Sequence, residues 1–512
     1  MATGHDPRPA GEDRFACRLG PQPGDVDCLG DGGGLRIYLP CLSGSGLVPA
    51  ETAAALLALR GAGVPAHWLQ PVLVTGAQWR GAPVAVRLPR PAVAEAQLPA
   101  EVADCRLPAA HLPAERLCVA GLCAVVRRAV KTVDGLRWPD GGHYCRRDDS
   151  LLGFRRGTLA PPADASLWTR FCERDVPEAL RAALAATRVK FTVPAELLQF
   201  EHHMHQPLRV HNVWKQDQAS GGTVRAWGSG DHRTALQCVR HTYAEGHVLT
   251  ISDLLLYPCL RLLTEALRPH GLRLSEAAPA VSQWMAAVEA VPGLAETWAA
   301  CFPPEQPGQP GPRLALSLPR AVCPPAGWPA NSTSSRTWPG WRCAPHGPAT
   351  PSSTSAAAAA TWVLLLAVLR PDCHVVLVEN KEESLRRGQD RAAALNLTNV
   401  SLYQCNMEFY RGQFQLGVAL HACGVATDLV AERCLAAGAA LVCCPCCYGA
   451  VHDFGSVRYP RSAAGRRTGA APRDWLVLGH AADQTHADGS EKSRQGRRCM
   501  ALVDSDRAAH LR

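Results

Sequence analysis

The chain has 512 residues, an ordinary apolar fraction of 47% and a formal net charge of +8. At ~100–200 residues per domain, that length predicts about three domains rather than one core. Only five of its 53 basic residues are lysine; arginine, alanine, glycine and proline share GC-rich codons, so the charge reads first as codon bias, and no dense basic run with interleaved aromatics marks a nucleic-acid face.

The N-terminal "MATGHDPRPAGEDR" is charged and proline-broken, with no apolar core, so it is not a signal peptide. Without a secretory signal, the 22 cysteines read as free thiols of a reducing compartment, and a cytoplasmic location is expected. From 35 to 75, "LRIYLPCL", "AETAAALLALRGAG" and "PAHWLQPVLVTG" predict strand, helix and strand. Val119, Leu122, Cys123, Val126 and Val130 then recur at helical spacing. Further helices are expected over roughly 165–188, 250–268 and 278–302.

Thr250-Ile-Ser-Asp253 has the form of a capping box, in which a hydroxyl and a carboxylate hold the first free backbone N–H groups. The buried run "LLLYPCLRLL" follows it, then Trp284 and "VEAVPGL". This combination resembles the C-terminal helical domain of glutathione S-transferases. Residues 303–353, rich in Pro, Ser, Gly and Trp without periodicity, read as a linker. The apolar run from Ala356 to Leu369 is 14 residues long. Crossing a bilayer takes ~20, so no membrane span is expected.

From 373 the texture alternates: "CHVVLVEN", "KEESLRRGQDRAAALN", "VSLYQCN", "LGVALHACG", "ATDLVAERCLAAGA", "ALVCCPCCYG". Short apolar runs separated by helices predict a parallel sheet. Ligands of such sheets sit beyond the carboxyl ends of the strands. That rule picks out Glu379, Asn406, the turn His421–Gly424 and the turn Pro445–Gly449. Cys443, Cys444, Cys446 and Cys447 hold two interleaved Cys-x-x-Cys spacings. Neighbouring side chains on a strand point to opposite faces, and there is no second ligand pair at finger spacing, so no metal is expected here.

"LHACGVATD" and "CCPCCYG", with "VLVENKEES", "QCNMEF", "WTRFCE", "PLRVHN" and "ADQT", carry a closer likeness. The chain resembles the family of glutathione S-transferase C-terminal domain-containing proteins, densely from 373 to about 450 and recognisably from 118 to 300. The resemblance implies a multidomain α/β protein. Its parts are a thioredoxin-like region over 1–115, an all-α transferase-type domain over 116–302, the linker over 303–353, and a Rossmann-like class I methyltransferase-like domain over 354–512. It implies S-adenosylmethionine as cofactor, with Glu379 on ribose and Asn406 and Met407 flanking adenine. His421, Cys423, Gly424, Pro445 and Tyr448 would then face the transferred methyl. His421 and Asp428 are candidate bases, though either could cap the following helix. The acceptor is not legible; RNA enters only by analogy with similar turns in some RNA-methylating enzymes. Two other readings are open: a non-catalytic scaffold, and glutathione-linked chemistry. Against the latter, "RLCVAGL" lacks the acidic-Ser pair that true transferases place before that helix.

A Rossmann-like site needs glycines at its first strand-to-helix turn, with an acidic residue ~20 residues later. Counting back from Glu379 lands in the alanine run, at Ala358 and Ala359. One possible coding of 354–362, read one base earlier, spells Asp-Phe-Cys-Ser-Gly-Gly-Gly-His-Val. The alanine run is therefore expected to be the cofactor loop read out of frame. The usual last strand pair of a class I methyltransferase sheet is also expected to be missing before Arg512, leaving this chain short of a complete site and its catalysis in question.

Overall fold

The computed structural model describes residues 35–41, 47–64, 69–76, 93–134, 168–185, 193–206, 241–267, 271–291, 339–344, 358–420, 422–449, 457–485 and 489–512, with a few shorter stretches between them. The chain forms two compact units. The first takes Met1–Leu98, Leu107–Ala110 and Leu122–Thr333; the second takes Pro99–Arg106, His111–Gly121 and Ser334–Arg512. These units differ from the layout expected from sequence, because short pieces before residue 122 belong with the C-terminal third. Among the described residues, no helix is long and apolar enough to cross a membrane.

In the first unit, β1 (Leu35–Cys41) pairs in parallel with β2 (Leu69–Thr75), joined by α1 (Ala50–Gly61), and β3 (Val93–Ala94) extends the sheet beyond β2. The expected strand, helix and strand are thus present. The next helix, α2 (Leu122–Asp134), starts later than the periodicity implied, and Val119 lies instead on a strand. Gly121 separates the two with φ +105°, a conformation that a side chain would disfavour.

Helices α3 (Val176–Ala185), α4 (Ala195–His205), α5 (Ile251–Leu267) and α6 (Pro279–Glu289) complete this unit. Helix α5 is apolar on nearly every side, as a helix packed on several neighbours must be; it lies against α1 and α3. Its N-terminus shows the carboxylate half of the expected capping box, while the Asp253 N–H donates to the Thr250 carbonyl rather than to its hydroxyl. The Asp253 carboxylate accepts from the Thr250 N–H at 2.8 Å and its hydroxyl at 3.1 Å, from the Ala244 N–H at 2.7 Å and from the Trp284 indole N–H at 2.8 Å. Four donors hold one buried carboxylate, so the box ties the start of α5 to α6 as well as capping a helix.

Glu245 sits beside it and accepts from Ser252 at 2.6 Å and Thr250 at 3.3 Å. Burial pushes its carboxyl up to about 6, the hydroxyls offsetting part of that rise. A carboxyl whose folded pKa is raised binds its proton more tightly when folded, so its stabilising share is present at low pH and fades as pH rises toward 6. Between pH 4.5 and 6.5 the wild type should lose roughly 1 kcal/mol more stability than Glu245→Gln. Parallel urea titrations of the two proteins should converge on the acid side; identical pH slopes would refute this.

In the second unit, β4 (Leu117–Ala120) pairs in parallel with β7 (Val400–Gln404), which pairs in parallel with β6 (His374–Glu379). Residues 375–379 are buried, the pattern of a strand covered on both faces. Helix α7 (Ala358–Leu369) precedes β6 and α8 (Glu382–Ala394) follows it. Beyond them come β8 (Leu416–Leu420), α9 (Val425–Ala437) and β9 (Ala440–Cys444), with β8 and β9 parallel. The alternation read from 373 onward is therefore present element by element.

The segment read as a linker departs from expectation. Within it, β5 (Pro339–Ala344) pairs antiparallel with β6, Pro339 opposite Glu379 and Ala344 opposite His374, and β8 lies alongside it. A buried strand must satisfy its backbone on both edges, and β5 satisfies the free edge of β6. Its direction means that the chain leaves β5 at the amino end of β6, away from the edge where the ligand of such a sheet belongs.

Candidate functional site

Glu379 and Gln404 end β6 and β7 and stand opposite each other in register. Both are buried. Glu379 accepts from the Lys381 N–H at 3.0 Å, and the Asn380 amide donates to Asn406 at 3.0 Å. Met407, in the short turn Met407–Phe409, is buried, and that turn packs against α9. The fold brings Glu379 and Asn406, which the strand-end rule picked out, to one edge together with Met407. It missed Asn380 and Gln404. The available signal was a polar residue ending each of two apolar runs, "VVLVEN" and "VSLYQ".

Two atoms at this edge are unsatisfied. The side-chain oxygens of Asn380 and Gln404 are buried and accept no hydrogen bond. An orphaned buried acceptor costs about 1–3 kcal/mol, so such atoms point to an absent donor. Ribose hydroxyls and an adenine amino group are donors of that kind. The residues present therefore fit the adenosyl half of S-adenosylmethionine.

The other half is not matched. The strand-to-helix glycine turn expected near 354–363 is replaced, from Ala358 on, by α7, while 345–357 lie outside the described residues. Alanine has the highest helix propensity, and the run behaves accordingly. Among the described residues, no glycine turn follows β5 at the ligand edge.

The two turns expected to face the methyl group do meet. The Gly424 N–H donates to the Cys447 carbonyl at 2.8 Å. Asp483 accepts from the N–H groups of Tyr448 at 2.6 Å and Gly449 at 2.7 Å, fixing the second turn from below. Pro445 is half-buried between β9 and that turn. Tyr448 is buried; its hydroxyl donates to Asp504 at 2.6 Å and its ring lies under the Arg507 guanidinium. It anchors the turn inward rather than presenting its ring to a ligand. His421 lies outside the described residues.

Asp428 needs correction as a candidate base. It is 1% exposed and held by Arg507 at 3.0 Å, Arg461 at 3.5 Å and the Tyr459 hydroxyl at 2.7 Å. A general base must reach the proton it removes. Asp428 instead bolts α9 to α10 (Glu491–His510).

The second unit is thus a mixed α/β unit with polar strand ends gathered at one edge. The sequence model of a methyltransferase domain matches residues 360–453. The glutathione S-transferase C-terminal domain-containing protein homolog of Drosophila pseudoobscura pseudoobscura is 30% identical over 494 residues, covering 80% of this chain and 81% of the relative. The human glutathione S-transferase C-terminal domain-containing protein is 28% identical over 545 residues, covering 81% of this chain and 83% of its own length. The chain belongs to the family of glutathione S-transferase C-terminal domain-containing proteins. Among solved structures, a class Gtt2 glutathione S-transferase of Vibrio parahaemolyticus aligns with 52% of this chain and 97% of its own at 10% identity, with a TM-score of 0.28.

Proposed function

We propose that the second unit is an S-adenosylmethionine-type methyltransferase domain which, in this chain, retains the adenosyl half of its site and, among the described residues, shows no loop for the methionine half. The observation that carries this reading is the pair of buried, unsatisfied oxygens of Asn380 and Gln404 at adjacent strand ends. In it, Glu379 accepts from the ribose hydroxyls, and Asn406 and Met407 flank the base. When bound, S-adenosylmethionine supplies an electrophilic methyl group. The protein's part in such an in-line displacement is to align donor and acceptor. The turns 422–424 and 445–449 stand as the acceptor side, with RNA one acceptor class suggested by analogy alone.

Calorimetric titration with adenosine and with S-adenosylmethionine tests this directly. If only the adenosyl half is held, the two should bind with similar affinity. Glu379→Gln keeps the shape and removes the charge, and should weaken both about five- to tenfold, or ~1 kcal/mol. Failure of either ligand to bind at millimolar concentration would end the reading, and equal binding by Glu379→Gln would remove Glu379 from the site.

Glutathione-linked chemistry has less support. The residues immediately before α2 are Ala120 and Gly121, which offer neither a carboxylate nor a hydroxyl where transferases hold the γ-glutamyl group.

A further inference from the structure

No metal was expected because side chains alternate along a strand and no second ligand pair stands at finger spacing, but the alternation covers only Cys443 and Cys444. Strand β9 ends at Cys444, Pro445 breaks the alternation, and Cys446 and Cys447 lie in irregular backbone beyond it. Freed from the pleat, these two adjacent residues turn their sulfurs to the same side. The Cys446 sulfur is 3.4 Å from that of Cys447 and 3.4 Å from that of Cys423, on the turn after β8. All three sulfurs lie within 4.8 Å of one another.

We propose that Cys423, Cys446 and Cys447 form a three-thiolate site for a zinc ion, with no fourth protein ligand among the described residues. With Zn–S bonds of about 2.3 Å, the edges of a tetrahedral site are about 3.8 Å. The two 3.4 Å spacings lie a few tenths of an ångström from that edge, and the third pair of sulfurs lies within 4.8 Å. Soft sulfur ligands select zinc or cuprous copper over magnesium or calcium. The two turns are also fixed independently of any ion, through the Gly424–Cys447 backbone bond and the Asp483 carboxylate. A preformed site of this kind lowers the ordering cost of binding. Cys446 is exposed and the other two half-buried, so an ion can enter and a water or substrate atom can complete the shell.

Cysteine binds zinc as the thiolate, so zinc uptake must release protons to the buffer. This site is independent of the adenosyl reading, and the two are measured by separate ligands.

The test uses the full chain, reduced, purified and dialysed against zinc, then analysed for bound metal. One zinc per chain is expected, with proton release on titration. Cys446→Ser and Cys447→Ser should each lose at least tenfold in affinity, whereas a Cys443→Ser/Cys444→Ser double variant should keep it. Cobalt in place of zinc should give sulfur-to-metal charge-transfer absorption in the wild type, which reports the ligands without relying on any variant folding. Zinc retained undiminished by Cys446→Ser and Cys447→Ser would overturn the proposal. So would reduced wild type that takes up no zinc and gives no cobalt charge-transfer band, the result expected if the pair Cys423 and Cys446 serves only to form a disulfide.

Discussion

Arg507→Met should lower the unfolding free energy of the second unit by about 3–5 kcal/mol, the usual cost of breaking a buried ion pair from one side. Asp428 is 1% exposed and Arg507 is 7% exposed, so neither can recover its lost partner's charge from water. Arg507 also donates to the Gly424 carbonyl at 3.0 Å and binds Asp504 at 3.2 Å, while Asp504 holds the Tyr448 hydroxyl. One guanidinium thus braces α9, α10 and the second cysteine turn. Urea unfolding followed by tryptophan fluorescence checks the value, since Trp475 is buried in this unit. Adding Asp428→Asn to Arg507→Met should recover part of the loss, because the stranded charge is then gone. A single variant within 1 kcal/mol of wild type would mean that Arg461, 3.5 Å from Asp428, already suffices.

That network also shows where sequence reading stops. Asp428 lies on α9, but its partners are at 459, 461 and 507, and no local pattern joins them. A carboxylate four residues past a glycine turn looks available in sequence and is sealed in the fold. The strands of the last third were legible for the opposite reason: parallel strands buried on both faces tend to be continuous apolar runs, and "VVLV" and "LGVAL" are such runs, with "VSLYQ" broken only at Ser401 before its polar end. Val119 was misplaced because a strand residue three positions before a helix falls on the helical period; Gly121 was the available signal. Residues 446 and 447 were read as strand although Pro445 ends it, and their third partner is 23 residues away from Cys446. Strand β5 was hidden because "PGWRCA" has neither alternation nor an apolar run. Its place comes from the open edge of β6.

Replacing residues 354–363 with Asp-Phe-Cys-Ser-Gly-Gly-Gly-His-Val-Gly should raise the affinity for S-adenosylmethionine about thirty- to hundredfold and leave that for adenosine nearly unchanged. The proposed adenosyl-binding residues Glu379, Asn380, Gln404 and Asn406 lie on β6 and β7 or just beyond their ends, so the exchange does not touch them. What changes is the backbone ahead of β6. As it stands, α7 begins at Ala358 and continues to Leu369, and a helix offers no turn beneath the donor's amino and carboxylate groups. A glycine turn lets the backbone approach and present its N–H groups there. Two or three hydrogen bonds regained at ~1 kcal/mol each give the stated factor. Paired calorimetry on the two chains, with adenosine as the internal control, measures it. Comparable S-adenosylmethionine affinities in both would identify the alanine run as a genuine variant of the loop and dispose of the out-of-frame reading. A parallel rise in adenosine affinity would instead trace the gain to a change in the sheet, because adenosine has no methionine group to reach the loop.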